Sequence, residues 1–190
     1  MRGPARMHAI LGASEHCIAV HPSDLCVALV ALDAVVDIEG AGGSRSVPLT
    51  KFYVLPADRP DIENVLKHGE LLTRVRIPLL PPGARSGYLK VRDRASYQFA
   101  LVSAAVALEL ADDGRTIRAA RMALGGVGTK PWRVPRVEAA LTGATLDPAA
   151  LRRAAALAAQ GAQGRGHNDF KIELMQRAIV RAVETAGGRA

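Results

Sequence analysis

The sequence predicts an α+β fold, and two observations support that expectation. Stretches with β-branched or alternating apolar residues end at glycine-rich turns, which is typical of antiparallel strands. Alanine-rich stretches with helical spacing follow them, mostly after residue 134, so strands and helices are largely segregated along the chain. A length of 190 residues allows one large domain or two small ones.

The first half contains a short helix and a pair of strands. Ser23 precedes a run with an apolar face at helical spacing, so it is a natural N-cap for a helix that begins at Asp24. Residues 34–39 are β-branched and residues 45–49 resume after the glycine-rich segment 40–43. We therefore expect a strand, a turn and a returning strand.

A proline-rich break separates the two halves. Residues 71–77 alternate in polarity and predict a strand with one solvated face. Residues 79–87 follow, and the prolines there and at Pro78 interrupt regular structure. We place a domain boundary in this segment, with one domain over residues 1–84 and another over 85–190.

The second half predicts a hairpin followed by helices. Residues 102–110 and 116–127 flank the Asp-Gly pair of residues 113–114, which suits a tight turn between antiparallel strands. Glycine, proline and capping residues then delimit three helices, at residues 135–141, from 148 to 160, and after the Asn168-Asp169 pair.

Composition excludes several classes of protein. The net charge of +7 would permit nucleic-acid binding, but the arginines are scattered and aromatic residues are few, so we expect no nucleic acid as a partner. No apolar run reaches the roughly 18 residues of a membrane span, and no signal-peptide core is present. Two cysteines do not make a disulfide framework. These features predict a soluble protein, with the cytoplasm as the favoured compartment.

Residues 16–26 leave more than one interpretation open. Cys26 lies in the apolar helix, where a core thiol is the simpler explanation, whereas Cys17 lies outside it between His16 and His21. One thiol and two imidazoles alone are weak evidence for a metal. The helix start at Ser23 can hold a phosphate or a polar cofactor edge, or it can simply be capped.

Two further stretches are ambiguous. Residues 90–100 combine cations and aromatics and fit either a ligand site or a solvated strand edge. The glycines of residues 125–128 lack the spacing of a dinucleotide loop, and we interpret them as a turn or a site of close packing.

Four blocks together resemble the FAD-binding subunit of the xanthine dehydrogenase family of molybdenum hydroxylases, and in particular its aldehyde oxidoreductase branch. They are, in order, "HPSDLCVALVALDA", "GELLTRVRIP", "YLKVRDRASYQFALVSAAVALEL" and "ALGGVGTKPWR". The resemblance implies the remainder of a PCMH-type FAD-binding domain, without its N-terminal subdomain. It implies a C-terminal domain with a small antiparallel sheet and a helical bundle after it.

The resemblance also implies flavin contacts. Ser23 and Asp24 match a pair that lies against the adenosine ribose and pyrophosphate of FAD. Leu72 and Phe99 match apolar positions near the flavin ring, and Lys90 matches a lysine at the ring's polar edge. A cation there favours a reduced, anionic flavin.

Cys17 matches the last of four cysteines that hold a [4Fe–4S] cluster in this branch, so the resemblance implies that cluster only in a full-length subunit. The implied partners are a large subunit with the molybdenum cofactor and a small subunit with [2Fe–2S] clusters. The implied function is electron transfer from iron–sulfur clusters to FAD and an external acceptor, in a cytoplasmic or periplasmic complex. The alternative is a truncated, non-catalytic subunit fragment that only assembles with partner chains.

Overall fold

The computed structural model describes residues 4–188 and shows two small antiparallel sheets with helices packed on them, which confirms the α+β prediction. One sheet has the strand order β2-β1-β3 and the other β4-β5-β6-β7. The elements are α1 (Asp24–Ala31), β1 (Val35–Gly40), β2 (Gly43–Pro48), α2 (Leu49–Phe52), β3 (Leu71–Arg76), β4 (Arg85–Val91), β5 (Val102–Leu110), β6 (Ile117–Gly125), β7 (Trp132–Arg133), α3 (Pro135–Leu141), α4 (Pro148–Ala156) and α5 (Phe170–Ala186).

The predicted hairpin of the first half is present. β1 and β2 pair in antiparallel register, and Gly40 lies opposite Gly43 at the turn. Gly43 has a φ of +107°, a conformation that glycine adopts without the steric cost of a Cβ atom. Val36 and Ile38 point from β1 into a buried cluster with α1, which fixes the sheet against the helix.

The strand predicted over residues 71–77 is β3, but the prediction of a single solvated face is wrong. Every β3 residue is exposed, including Leu71 and Leu72. β3 is an edge strand of its sheet, and neither buried hydrophobic cluster of residues 4–188 includes one of its residues. The alternation of apolar and polar residues in β3 therefore does not correspond to a buried and a solvated face of the strand.

The second sheet is covered on both faces. Alternate β5 side chains enter two different clusters: Val106 and Leu108 pack with α5, whereas Ala105 packs with α1. This explains why β5 reads as an almost unbroken apolar run. The helix of the first half thus lies on the sheet of the second half, while the chain changes sheets between Arg76 and Arg85. The division into domains at residue 84 stays a prediction.

The start of α5 differs from the sequence prediction. Asn168 and Asp169 do not cap the helix through their side chains. Instead, the Asn168 Oδ1 accepts a hydrogen bond from the Arg165 amide at 2.7 Å, and the Asp169 Oδ1 accepts one from the Gly166 amide at 2.9 Å. Both side chains therefore stabilise the loop that leads into α5.

None of the helices in residues 4–188 is long and apolar enough to cross a membrane.

Candidate functional site

The start of α1 is formed as the sequence predicts. Ser23 has extended backbone angles, φ −123° and ψ 111°, and its Oγ accepts a hydrogen bond from the Cys26 amide at 3.2 Å. The first-turn amides of an α-helix have no partner within the helix, and the helix dipole places partial positive charge there. The Ser23 end of α1 can therefore hold an oxygen-rich ligand group.

Lys90 lies directly against this helix start, although it is 66 positions away in the sequence. Its Nζ is 2.6 Å from the Asp24 Oδ2. The Tyr88 hydroxyl donates a hydrogen bond to the Asp24 Oδ1 at 2.8 Å, and it lies 3.0 Å from the Ser103 Oγ. Burial raises the pKa of Tyr88 well above its ordinary value, and the hydrogen bond to Asp24 adds to this shift. The hydroxyl therefore stays protonated as a donor.

Phe99 completes a shallow crevice with the α1 start. Ser23, Asp24 and Phe99 all line it, together with Ser103, Gly125 and Gly126. A Cβ atom at Gly126 would lie 2.7 Å from two backbone carbonyl oxygens, and the φ of this residue is +72°. The structure therefore supports the interpretation of residues 125–128 as a site of close packing, here at the wall of the crevice.

Leu72 is the predicted flavin contact that the structure does not bring into this crevice. It lies on β3 opposite Ile38, in the three-stranded sheet, and is 40% exposed. Lys90 belongs to β4 in the other sheet. The role of Leu72 stays a prediction that rests on the resemblance alone.

Cys17 lines a separate small cavity of about 70 Å³ beside the crevice. His21 lines both this cavity and the crevice. Its Nδ1 is buried and has no hydrogen-bond partner among residues 4–188, and burial lowers the pKa of His21, which favours the neutral imidazole. The His21 ring meets the Tyr53 ring edge to face, with centroids 4.5 Å apart.

The two cysteines have different surroundings. Both are half-buried, free thiols, so the interpretation of Cys26 as a core thiol is wrong. The Cys26 Sγ lies 3.0 Å from the Tyr53 hydroxyl, because α1 turns this side chain towards α2 and the residue that follows it. Cys17 makes no side-chain hydrogen bond within residues 4–188. It is the more available thiol for a ligand.

The structure adds three residues that sequence reasoning did not assign to the site: Tyr88, Ser103 and, as a lining residue, His21. Tyr88 and Lys90 are two positions apart on β4, so strand periodicity places both on one face and could have identified Tyr88. Ser103 pairs with Lys90 across β4 and β5. Only the register of that pairing reveals it, and no local sequence signal does.

Two known families match the chain. Residues 87–186 match the CO dehydrogenase flavoprotein C-terminal domain, and residues 12–80 match the FAD binding domain in molybdopterin dehydrogenase. The chain belongs to the CO dehydrogenase flavoprotein family. The resemblance to FAD-binding subunits of molybdenum hydroxylases is thereby confirmed.

Curated relatives include the aldehyde oxidoreductase FAD-binding subunit PaoB of Escherichia coli, which is 42% identical over 100% of this chain and 56% of its own length. The carbon monoxide dehydrogenase medium chain of Afipia carboxidovorans is 30% identical over 88% of this chain and 57% of its own. The chain therefore spans about half the length of the curated relatives that it matches.

Solved structures agree with this assignment. Reconstituted CO dehydrogenase from Oligotropha carboxidovorans matches with a TM-score of 0.77 at 28% identity, over 88% of this chain and 57% of the other. Quinoline 2-oxidoreductase from Pseudomonas putida 86 matches with a TM-score of 0.72 at 28% identity, over 97% and 60%. The relatives are oxidoreductase subunits, and this chain shares their flavoprotein fold.

The side chains around the crevice offer groups that match those of a flavin nucleotide, which would lie across their surface because the crevice itself has a volume of only about 10 Å³. The Asp24 carboxylate can accept hydrogen bonds from ribose hydroxyls, the α1 amides can donate to phosphate oxygens, and Phe99 offers an apolar ring surface. Within residues 4–188 no three histidine, cysteine or acidic side chains form a metal-binding group, so Cys17 can supply one ligand of a cluster and no more.

Proposed function

We propose that this chain is the part of an FAD-binding subunit that contacts the flavin in a molybdenum hydroxylase of the aldehyde oxidoreductase type. The observation that carries the proposal is the ion pair of Lys90 with Asp24, which joins the start of α1 to the edge strand of the second sheet. Four sequence blocks resemble the family, and the crevice unites residues from three of them. FAD supplies the redox chemistry, by accepting electrons from iron–sulfur carriers and passing them to an external acceptor.

Asp24 and Ser23 bind the nucleotide part of the cofactor in this proposal. The Asp24 carboxylate is held from two sides by Lys90 and Tyr88, so it is oriented before any ligand arrives. Ser23 stabilises the first turn of α1 by capping the Cys26 amide. A rigid helix start reduces the entropy that binding would otherwise cost.

Lys90 and Phe99 act on the flavin ring. The Lys90 side chain is 23% exposed, so its charge is only partly screened by water. Its pairing with Asp24 reduces the positive charge at this edge, and the balance between the two groups tunes the ring's affinity for electrons. Phe99 is 61% exposed and offers an apolar surface to the ring.

Cys17 is, in the same proposal, one ligand of a [4Fe–4S] cluster whose other three ligands come from outside residues 4–188. Four thiolates normally hold such a cluster. The partners are a large subunit with the molybdenum cofactor and a small subunit with [2Fe–2S] clusters, in a cytoplasmic or periplasmic complex. What supports these partners is the relatives' naming as medium chains and subunits of such enzymes.

The test is flavin retention in a subunit extended to the length of the family. Asp24→Leu should lower the ratio of FAD to protein, measured by absorbance, because the carboxylate and its orientation of Lys90 are lost. Asp112→Leu is the matched control, since the exposed Asp112 pairs with Arg118 at the β5–β6 turn, at the opposite end of this hairpin from the crevice residues Ser103 and Gly125. Full flavin content in Asp24→Leu, or an equal loss in both variants, would contradict the proposal and favour a fragment that only assembles with partners.

A further inference from the structure

The first turn of α5 contains a buried lysine that the flavin site does not use. Lys171 is 0% exposed, and within residues 4–188 it forms no ion pair with a carboxylate. Its Nζ donates hydrogen bonds to two backbone carbonyls, that of Gly126 at 2.8 Å and that of His8 at 3.2 Å. Burial lowers the pKa of Lys171 to about 8, with the Arg6 charge as a smaller cause. An apolar side chain would avoid this cost, so the two bonds need an explanation.

Asn168 acts on the same strip of backbone. It is also 0% exposed, and its Nδ2 donates to the carbonyls of His8 at 3.2 Å and Ala9 at 3.4 Å. Its Oδ1 is occupied by the Arg165 amide. Two buried polar side chains from the start of α5 thus hold the carbonyls of residues 8 and 9.

Residues 8 and 9 form one side of the base of the cysteine loop, which we define as residues 8–17. The Ala9 amide donates to the Ile18 carbonyl at 2.8 Å and closes that base next to Cys17. Inside the loop, the Ser14 Oγ accepts hydrogen bonds from the amides of His16 and Cys17. The position of Cys17 therefore depends on the backbone that Lys171 and Asn168 hold.

The other partner of Lys171 is the glycine turn, residues 125–128. Gly125 and Gly126 line the crevice with Ser23 and Phe99. The amides of Ile10 and Leu11 donate to the Val127 carbonyl at 2.8 and 3.0 Å, so the loop and the turn lie side by side. One amine therefore bonds both to the base of the cysteine loop and to the wall of the crevice.

We propose that Lys171, assisted by Asn168, is a positioning residue that fixes the cysteine loop, and with it Cys17, against the wall of the flavin crevice. The functional meaning rests on the proposed role of Cys17 as a cluster ligand. We call the hydrogen bonds of Lys171 and Asn168 to the backbone of residues 8, 9 and 126 the clamp. These bonds are a property of this chain, and their effect can be measured without any cofactor.

The experiment compares Lys171→Met with the wild-type 190-residue chain. Methionine preserves the length and burial but cannot donate to carbonyls. We expect the Ile10 and Leu11 amides to exchange hydrogen about tenfold faster, and the Cys17 thiol to react with a disulfide reagent about tenfold faster, as expected when a charge-assisted hydrogen bond is lost. The Cys26 thiol should react at its wild-type rate, because its bond to Tyr53 lies outside the loop.

Met175→Ala is the matched control, since Met175 is buried one turn further along α5 and its loss creates a cavity without removing a donor. A purely structural role of Lys171 would accelerate both thiols equally, as this control should, and would overturn the proposal. Unchanged Cys17 reactivity in folded Lys171→Met would overturn it as well. If Lys171→Met does not fold, Asn168→Leu carries the comparison, because it removes the donor to the His8 and Ala9 carbonyls without adding a charge. If the Lys171 and Asn168 variants both fail to fold while Met175→Ala folds, the two residues are needed for the whole fold, which would also contradict a local clamp.

The link to the cluster is tested separately in a subunit of full family length. Lys171→Met should lower the iron content or alter the spectrum of the cluster, with Cys17→Ser as the reference for complete loss. Iron retained in Cys17→Ser would refute the assignment of Cys17 as a cluster ligand. It would not affect the positioning role of Lys171, which the thiol reactivity and amide exchange rates test independently. If the Cys17 thiol reacts faster in Lys171→Met but the iron content and cluster spectrum are unchanged, Lys171 does not position Cys17 for the cluster.

Discussion

The amine of Lys90 lies 2.6 Å from the carboxylate of Asp24, so the cation predicted at the flavin ring is already paired with an acid at the helix start. The resemblance alone implies that these two residues contact different parts of the cofactor, the nucleotide and the flavin ring. Their direct contact means that a change in either one alters the charge that the other presents. This coupling yields predictions of opposite sign.

Lys90→Met should lower the flavin midpoint potential in a full-length subunit, whereas Asp24→Asn should raise it. Loss of the cation disfavours the reduced, anionic flavin, and loss of the carboxylate frees the Lys90 charge to act on the ring. Each shift should be on the order of 30 mV, which corresponds to about 1.4 kcal/mol for a two-electron couple. Spectroelectrochemical titration measures both.

Arg118→Met is the control for charge alone, because Arg118 is an exposed cation at the far end of the β5–β6 hairpin from Ser103, the residue that pairs with Lys90. It should leave the potential within error of the wild type. Shifts of the same sign in Lys90→Met and Asp24→Asn would show that the ion pair does not tune the flavin.

Lys171 should make the free energy of unfolding rise with pH. Its pKa of about 8 in the folded chain lies below the ordinary value of 10.5, so the unfolded chain binds more protons between these values. Stability is therefore lowest below pH 8 and increases above it. From pH 8 to 9.5 the gain should be roughly 1.5 kcal/mol, because the slope approaches about 1.4 kcal/mol per pH unit only once Lys171 is mostly deprotonated in the folded chain.

Urea unfolding at several pH values between 7.5 and 9.5 measures this slope. Lys171→Met should have a clearly smaller slope, with Lys130 as a remaining contributor because burial lowers its pKa too. The upper limit avoids the ionisation of tyrosines in the unfolded chain, since burial raises the pKa of Tyr53 and Tyr88 in the folded one. Parallel slopes in the two proteins would show that Lys171 is not the titrating group. Lys130 would then be the group to test next, because burial lowers its pKa as well.

Much of the fold follows from local sequence signals, because turns and caps act over a few residues. Ser23 caps α1 as predicted, and the Asp113-Gly114 turn joins β5 to β6 with the Asp113 carboxylate accepting the amides of Arg115 and Thr116. The burial of Lys171 had no such signal. It depends on the approach of residues 8 and 126, which are far away in the sequence.

The candidate site divides in the same way. Resemblance identified Ser23, Asp24, Lys90 and Phe99, and the structure brings these four together. The partners Tyr88 and Ser103 depend on strand register and on which face of β4 meets α1. The exposure of β3 depends on whether another element packs on the strand, and the alternation of apolar and polar residues does not reveal this.

Arg133 should be the main polar connection between α1 and α3. It donates to the Val30 carbonyl at 3.0 Å and forms ion pairs with Asp33 and Glu138. Arg133→Met leaves the half-buried Glu138 carboxylate with the Met122 amide as its hydrogen-bond donor and leaves Asp33 with the longer Arg121 pair at 3.6 Å, so we expect a loss of about 2 kcal/mol of stability. Denaturant unfolding measures the loss.

Arg136→Met is the comparison for Arg133→Met, since the exposed Arg136 has a hydrogen bond only with Gln160 among the described residues. It should cost less than about 0.5 kcal/mol. Equal effects of the two substitutions would mean that the Asp33 and Glu138 pairs contribute nothing beyond surface charge.

Cys17 and Cys26 should behave differently in a full-length subunit. Cys17 lines a cavity next to the crevice and makes no side-chain hydrogen bond in the described part of the chain, whereas the Cys26 thiol is bonded to the Tyr53 hydroxyl. Cys17→Ser should therefore lose the iron and the visible absorbance of the cluster. Cys26→Ser should retain both and cost on the order of 1 kcal/mol, since serine can still bond to Tyr53 but packs less well. Iron analysis and absorbance spectra measure the difference, and retention of the full iron content in Cys17→Ser would exclude this cysteine as a ligand.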